Sequence, residues 1–128
     1  MADGTGDTCS LVLCDDQPDF VRLMSMLLTM QPELDVVGTA HDGLEAIEAC
    51  RRLQPDVILL DISMPNMDGI TAIPHIREVS PDTRIVMLSG FSAVQVKERA
   101  LSAGAHAFIE KGSSVPDIPR IVLEHCRS

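Results

Sequence analysis

Four consecutive branched aliphatic residues, Val57 to Leu60, run without a polar interruption into an aspartate, Asp61. A strand with one wet face would alternate polar and apolar side chains. An unbroken run is buried on both faces, which places it at the centre of a parallel sheet covered by helices on either side. Asp61 then stands at the carboxyl end of that strand, the rim of an open parallel sheet where ligands and chemistry collect. A loop carrying Pro65, Asn66, Asp68 and Gly69 follows. Taken alone, Asp61 reads rather as a turn-capping aspartate that holds a nearby backbone N–H. The rest of the chain decides.

Along the chain the pattern alternates. Ser10–Cys14 is a short aliphatic strand ending in Asp15 and Asp16, and Gln17-Pro18 opens a helix with a buried face of Phe20, Leu23, Met24, Leu27 and Leu28. Residues 34–40 form the next strand, and Asp42 with Glu45 makes a capping box for a helix through Leu53. After the central strand a helix runs from about Gly69 or Ile70 to Val79, with Pro74 predicting a kink or a late start. Residues 84–88 give a fourth strand closed by Ser89, and Ser92 with Gln95 caps a helix through Ala103. Residues 105–109 give a fifth strand, followed by Glu110 and Lys111. Ser114 with Asp117 caps a last helix that buries Ile118, Ile121 and Val122, with Pro116 and Pro119 confined to its first turns. Five strands alternating with five helices over short connections define a doubly wound α/β fold.

At 128 residues the chain makes one domain, expected over residues 10–126 behind a disordered tail of residues 1–9. Nineteen acidic against ten basic residues leave a net charge of -9, and there is no Trp or Tyr. That balance repels a phosphate backbone and supplies no stacking platforms, so no direct nucleic-acid binding is expected. No apolar run reaches membrane-spanning length and no signal peptide is recognisable, giving the expectation of a cytoplasmic protein. Cys9, Cys14, Cys50 and Cys126 lack metal-site or CxxC spacing and are expected as reduced thiols.

The chemistry gathers at the strand ends. Asp15 and Asp16 follow the first strand, Asp61 ends the third, Ser89 the fourth, and Lys111 follows the fifth. If the strand order is 2-1-3-4-5, the three carboxylates meet at the switch point between the first and third strands. Held roughly 5 Å apart, each pair repels by about 3 kcal/mol at an effective dielectric near 20, so the site calls for a hard divalent cation. Magnesium is held in this way, by one or two carboxylates plus a phosphate. A carboxylate beside that ion, with a lysine and a hydroxyl aimed at the same spot, is equipped to accept a phosphoryl group.

With Asp15-Asp16, the LLDISMPNMDG stretch, Ser89 and Lys111 in this arrangement, the chain resembles the receiver domain of two-component response regulators from about Ser10 to Cys126. The Lys111-Gly112-Ser113-Ser114 stretch is most similar to the NarL/LuxR-type branch. The resemblance, not the residue pattern, supplies the flavodoxin-like strand order 2-1-3-4-5. It implies Asp61 as phosphoacceptor, and Mg2+ (or Mn2+) held by Asp16 directly, Asp15 through water, Asp61, and the backbone carbonyl of Ser63. It implies Lys111 and Ser89 as catalytic partners, and Ser89 with Phe108 as the switch pair. Ser63 and Phe91 occupy the positions that in such domains tune dephosphorylation. The implied partners are a sensor histidine kinase, a second copy on phosphorylation, and a C-terminal DNA-binding output domain outside this chain. The domain is not expected to be a turnover enzyme beyond its own phosphorylation and dephosphorylation.

Two other function classes use similar parts. A docking module that never accepts phosphate would typically have lost an acid or the lysine, and all are present. A hydrolase of the haloacid dehalogenase type would need a second acid two residues after Asp61, where Ser63 stands.

Overall fold

In the computed structural model, residues 8–90 and 94–126 are described, without the side chains of residues 113 and 114. The expectations for Phe91, Ser92 and residues 1–7 lie outside that range. Five parallel strands are ordered β2-β1-β3-β4-β5: β1 Cys9–Cys14, β2 Leu34–Ala40, β3 Val57–Asp61, β4 Arg84–Ser89 and β5 Ala107–Glu110. The crossover helices are α1 Pro18–Thr29, α2 Gly43–Leu53, α3 Gly69–Val79 and α4 Val94–Ala103. A single turn, α5 Lys111–Ser114, a 3-10 turn Val115–Asp117 and α6 Ile118–Cys126 close the chain.

Every residue of β3 is buried, as an uninterrupted apolar run requires of a central strand. Its alternate side chains feed two cores. Ile58 and Leu60 pack with Ile73, Ile76 and Met87 beneath α2, α3 and α4. Val57 and Leu59 pack with Met24, Leu28, Ile118 and Val122 beneath α1 and α6. With one wide aliphatic face on each side, the sheet holds β1 and β3 rigidly next to each other, and this positions the site.

Several local expectations are corrected. Cys9, assigned to the tail, is the first residue of β1. Leu23 is exposed, because it lies about 100° from Met24 and about 140° from Leu28 around the helix, the two residues of α1 that are fully buried. The helix α3 does not start late: Asp68 caps it, accepting from the Thr71 amide at 2.7 Å, and it continues through Pro74. Pro74 deprives the Ile70 carbonyl of its usual donor while Ile73 and Ile76 keep the turn buried. The fifth strand begins at Ala107 rather than Ala105, although the His106 amide still reaches the Ile85 carbonyl at 2.8 Å. The last helix begins only at Ile118, so Ser114 belongs to the separate turn before it, and Pro116 falls in the 3-10 segment between.

The thiol expectation is also overturned. Cys9 and Cys126 form a disulfide, with Cα atoms 6.0 Å apart, whereas Cys14 and Cys50 are free and buried. Local spacing carries no trace of this pair. It arises because the start of β1 and the end of α6 meet at the amino rim of the sheet.

Candidate functional site

The strand order puts β1 beside β3, and their carboxyl ends bring Asp15, Asp16 and Asp61 together. One carboxylate oxygen from each lies within 4.8 Å of the others. Asp15 is fully buried and divided between two tasks. Its Oδ1 accepts from the Gln17 amide at 2.9 Å, leading the chain into α1, and its Oδ2 accepts from Lys111 Nζ at 2.6 Å. Asp15 thus holds the entry of α1 with one oxygen and the lysine with the other. Asp16 is exposed and lines an open cleft with Ser63, Pro65, Asp68 and Arg99.

Asp61 is 4% exposed. Burial, followed by the negative charge of Asp15, pushes its carboxyl up to about 6, while Lys111, 3.2 Å away, pulls it back. Burial works against the Lys111 ammonium, but its hydrogen bond to Asp15 and the Asp61 charge outweigh that, and its proton is held more tightly than in water. Lys111 reaches the site because it starts α5 directly after β5. The ammonium also lies over the Phe20 ring, 4.4 Å from its centroid. Phe20 reads from the sequence as one more core residue of α1; no sequence signal marks its second contact.

Ser89, the last residue of β4, is 1% exposed, and its neighbour Leu88 pairs in register with Asp61. The hydroxyl-bearing residue therefore stands one strand over from the acid. Phe108 pairs with Met87 and is half-buried against the core that includes Met87 and Ala100.

The loop after Asp61 is braced at points the sequence did not reveal. Gly69 donates its amide to the Ile62 carbonyl at 2.9 Å, and a Cβ there would sit 2.1 Å from the Asp61 carbonyl oxygen, so only glycine fits. Asn66, in the left-handed region at φ 66°, donates to Asp42 at 2.6 Å. Asp42 also caps α2 by accepting from the Glu45 amide at 2.8 Å, and Glu45 reaches back to the His41 amide at 2.9 Å. The acidic loop is in this way tied to the N-terminus of α2.

Three carboxylates facing one ammonium leave an excess of two negative charges among hard oxygen donors. That donor set fits a divalent cation of the magnesium type. No helix in the described residues is long and apolar enough to cross a membrane.

Comparison with known proteins converges with this geometry. The family model for the response regulator receiver domain matches residues 11–123. A protein-glutamate methylesterase/protein-glutamine glutaminase 2 from Photobacterium profundum is 43% identical over 106 residues, covering 81% of this chain and 27% of that protein. The response regulator protein VraR from Staphylococcus saprophyticus is 36% identical over 112 residues, covering 87% of this chain and 54% of that protein. The chain thus spans between about a quarter and about half the length of these relatives. Among solved structures, the signal receiver domain of the putative response regulator NarL from Mycobacterium tuberculosis superposes with a TM-score of 0.90 at 32% identity, covering 95% of this chain and 98% of that one. The buried acid, its lysine and the five-stranded frame that unites them are the parts of one widespread signalling module, and this chain belongs to the response regulator receiver domain family.

Proposed function

We propose that this domain takes a phosphoryl group from the phosphohistidine of a sensor kinase onto Asp61, and that the aspartyl phosphate switches its surface. The observation that carries this is a 4%-exposed carboxylate with an ammonium 3.2 Å away and two further carboxylates beside it. Asp16, Asp61 and the Ser63 carbonyl would hold Mg2+ or Mn2+, with Asp15 contributing through water. Bound there, the ion supplies positive charge against the phosphoryl oxygens.

The chain's own residues do the rest. Asp61 is the nucleophile: its carboxylate oxygen forms the new bond to phosphorus as the bond to the kinase imidazole breaks. Lys111, already paired to Asp61 and steadied by Asp15 and Phe20, offers its N–H groups to the transferred oxygens. Ser89 hydrogen-bonds the product from the neighbouring strand, and Phe108 follows it inward, repacking the surface of α4, β5 and α6. A surface so altered can pair with a second copy or act on an output domain, which for the NarL/LuxR-type branch binds DNA. The domain turns over no separate substrate; it catalyses only its own phosphorylation and dephosphorylation. Such a module works in the cytoplasm, where the kinase domain resides.

Incubation with magnesium and acetyl phosphate tests the reading. A gain of one phosphoryl group by intact mass, absent in Asp61→Asn and strongly slowed in Lys111→Ala, is the expected result. No gain in the wild-type chain would assign it to phosphate-independent docking, and release of phosphate over many turnovers would assign it to the hydrolases.

A further inference from the structure

We propose that Cys9 and Cys126 form a reversible thiol–disulfide site that fastens the last helix to the first strand, closed by a low-molecular-weight disulfide such as oxidised glutathione. The pair is built to meet. Its Cα separation of 6.0 Å lies within the span a disulfide bridges without backbone movement. Cys9 is fixed as the first residue of β1, its amide bonded to the Glu33 carbonyl at 2.7 Å, and Cys126 is the last residue of α6. The two differ in access: Cys9 is 4% exposed and Cys126 half-buried, so an incoming disulfide meets Cys126 first. The other two cysteines do not compete. Cys14 and Cys50 are buried, and burial pushes the Cys50 thiol up to about 12 and the Cys14 thiol higher still, leaving both without thiolate.

The Cys126 thiolate attacks one sulfur of oxidised glutathione, breaking its S–S bond, forming a mixed disulfide and releasing one glutathione thiolate. The Cys9 thiolate then attacks the Cys126 sulfur and releases the second. The two protein thiols are oxidised, and the glutathione disulfide is reduced to two thiols that take up the two protons. Reversibility rests on the cytoplasmic placement proposed above, since disulfides in that compartment are transient and redox-responsive rather than permanent. The closed ring joins residues 117 apart in sequence and ties down α6, whose Ile118 and Val122 already pack on the sheet. It does so at the rim opposite Asp61, so the redox state can change without touching the phosphorylation chemistry.

The test uses the full chain, reduced with dithiothreitol, desalted, treated with oxidised glutathione, then unfolded and alkylated. Two alkylated cysteines, traced by peptide mapping to Cys14 and Cys50, are expected after oxidation, with all four alkylated after renewed dithiothreitol. Oxidation should also raise the melting temperature by several degrees. In Cys9→Ser, Cys126 should instead keep one glutathionyl group, and in Cys126→Ser oxidation should add nothing. Acetyl phosphate labelling of both variants shows that they fold and separates failure of this proposal from failure of the phosphoacceptor reading. Four alkylated cysteines after oxidation, a bond traced to Cys14 or Cys50, covalent dimers as the main product, or a bond that dithiothreitol fails to open under native conditions would each overturn it.

Discussion

At the amino ends of the strands polar groups pair with one another, whereas at the carboxyl ends like charges are crowded together. Thr83 at the amino rim is 1% exposed and donates to the Pro55 carbonyl at 2.7 Å. Asp56 accepts from the Ser10 amide at 2.9 Å and from its hydroxyl at 3.2 Å, and the Ile85 amide donates to His106 at 3.0 Å. The opposite rim holds three carboxylates around one lysine, with burial and Asp15 pushing the Asp61 carboxyl up to about 6. One end secures the fold, while the other concentrates like charge that a cation would relieve.

The largest effect is expected where the two demands meet, at Gly69. An added Cβ would lie 2.1 Å from the Asp61 carbonyl oxygen, a backbone atom with no room to yield. Gly69→Ala should therefore lower stability by about 3 kcal/mol and abolish phosphorylation together. The control is Gly90→Ala, where a Cβ meets nothing within 4 Å and the urea midpoint should stay near that of the wild type. Equal midpoints for the two variants would mean that the loop after Asp61 is slack.

A substitution at the amino rim should separate what Gly69 couples. Thr83→Val keeps the shape and deletes the hydroxyl, leaving the Pro55 carbonyl without that donor. Stability should fall by about 2 kcal/mol, while acetyl phosphate labelling at saturating magnesium keeps its rate. A slowed reaction with unchanged stability would reverse the assignment of roles to the two rims.

The carboxyl rim was much the more legible of the two in the sequence. The run from Val57 to Leu60 announces a central strand, and alternation then dictates that Asp15, Asp16, Asp61, Ser89 and Lys111 each stand at a strand end. What the sequence could not show was close approach. Nothing in the residue pattern says that Gly69 backs onto the Asp61 carbonyl or that Phe20 serves Lys111, because both contacts join separate elements. The Cys9–Cys126 bond escaped for the same reason, as its partners are 117 residues apart. The broken start of the last helix was misjudged on local grounds. Pro116 and Pro119 read as the first turns of one helix, whereas the chain passes through a separate turn and a 3-10 segment before α6 begins.

If charge crowding is a standing cost, removing the central charge should stabilise the metal-free protein. The Asp61 carboxyl is pushed up from 3.8 to about 6, so between those values the folded chain holds a proton that the unfolded chain has released. Stability contributed by this group accordingly falls as pH rises through the window, and the cost is complete above about pH 6. Asp61→Asn carries no such cost. In chelator it should be more stable than the wild type by about 1–2 kcal/mol near pH 8, with the advantage fading toward pH 4. Lys111 keeps Asp15 at 2.6 Å, so its own pairing survives the change. Urea titrations at both pH values decide, and a variant less stable than wild type near pH 8 would show that Lys111 already discharges the site.

The smallest effect probes how firmly that lysine is held. The Lys111 ammonium sits 4.4 Å from the Phe20 ring centroid, and this contact lies on the path between α1 and the acids. Phe20→Leu preserves an apolar side chain in the partly buried helix face and removes only the negative face of the ring. The lost attraction is about 1 kcal/mol or less, which limits the slowing of acetyl phosphate labelling to roughly fivefold. Stability should drop by no more than the same amount, because the side-chain volume changes little. Lys111→Ala in the Phe20→Leu background then discriminates. If the ring acts only through the ammonium, the second substitution erases the difference between Phe and Leu at position 20. A difference that persists without Lys111 would place Phe20 in the packing of α1 alone, and the carboxyl rim would then owe its lysine geometry to Asp15 and Asp61.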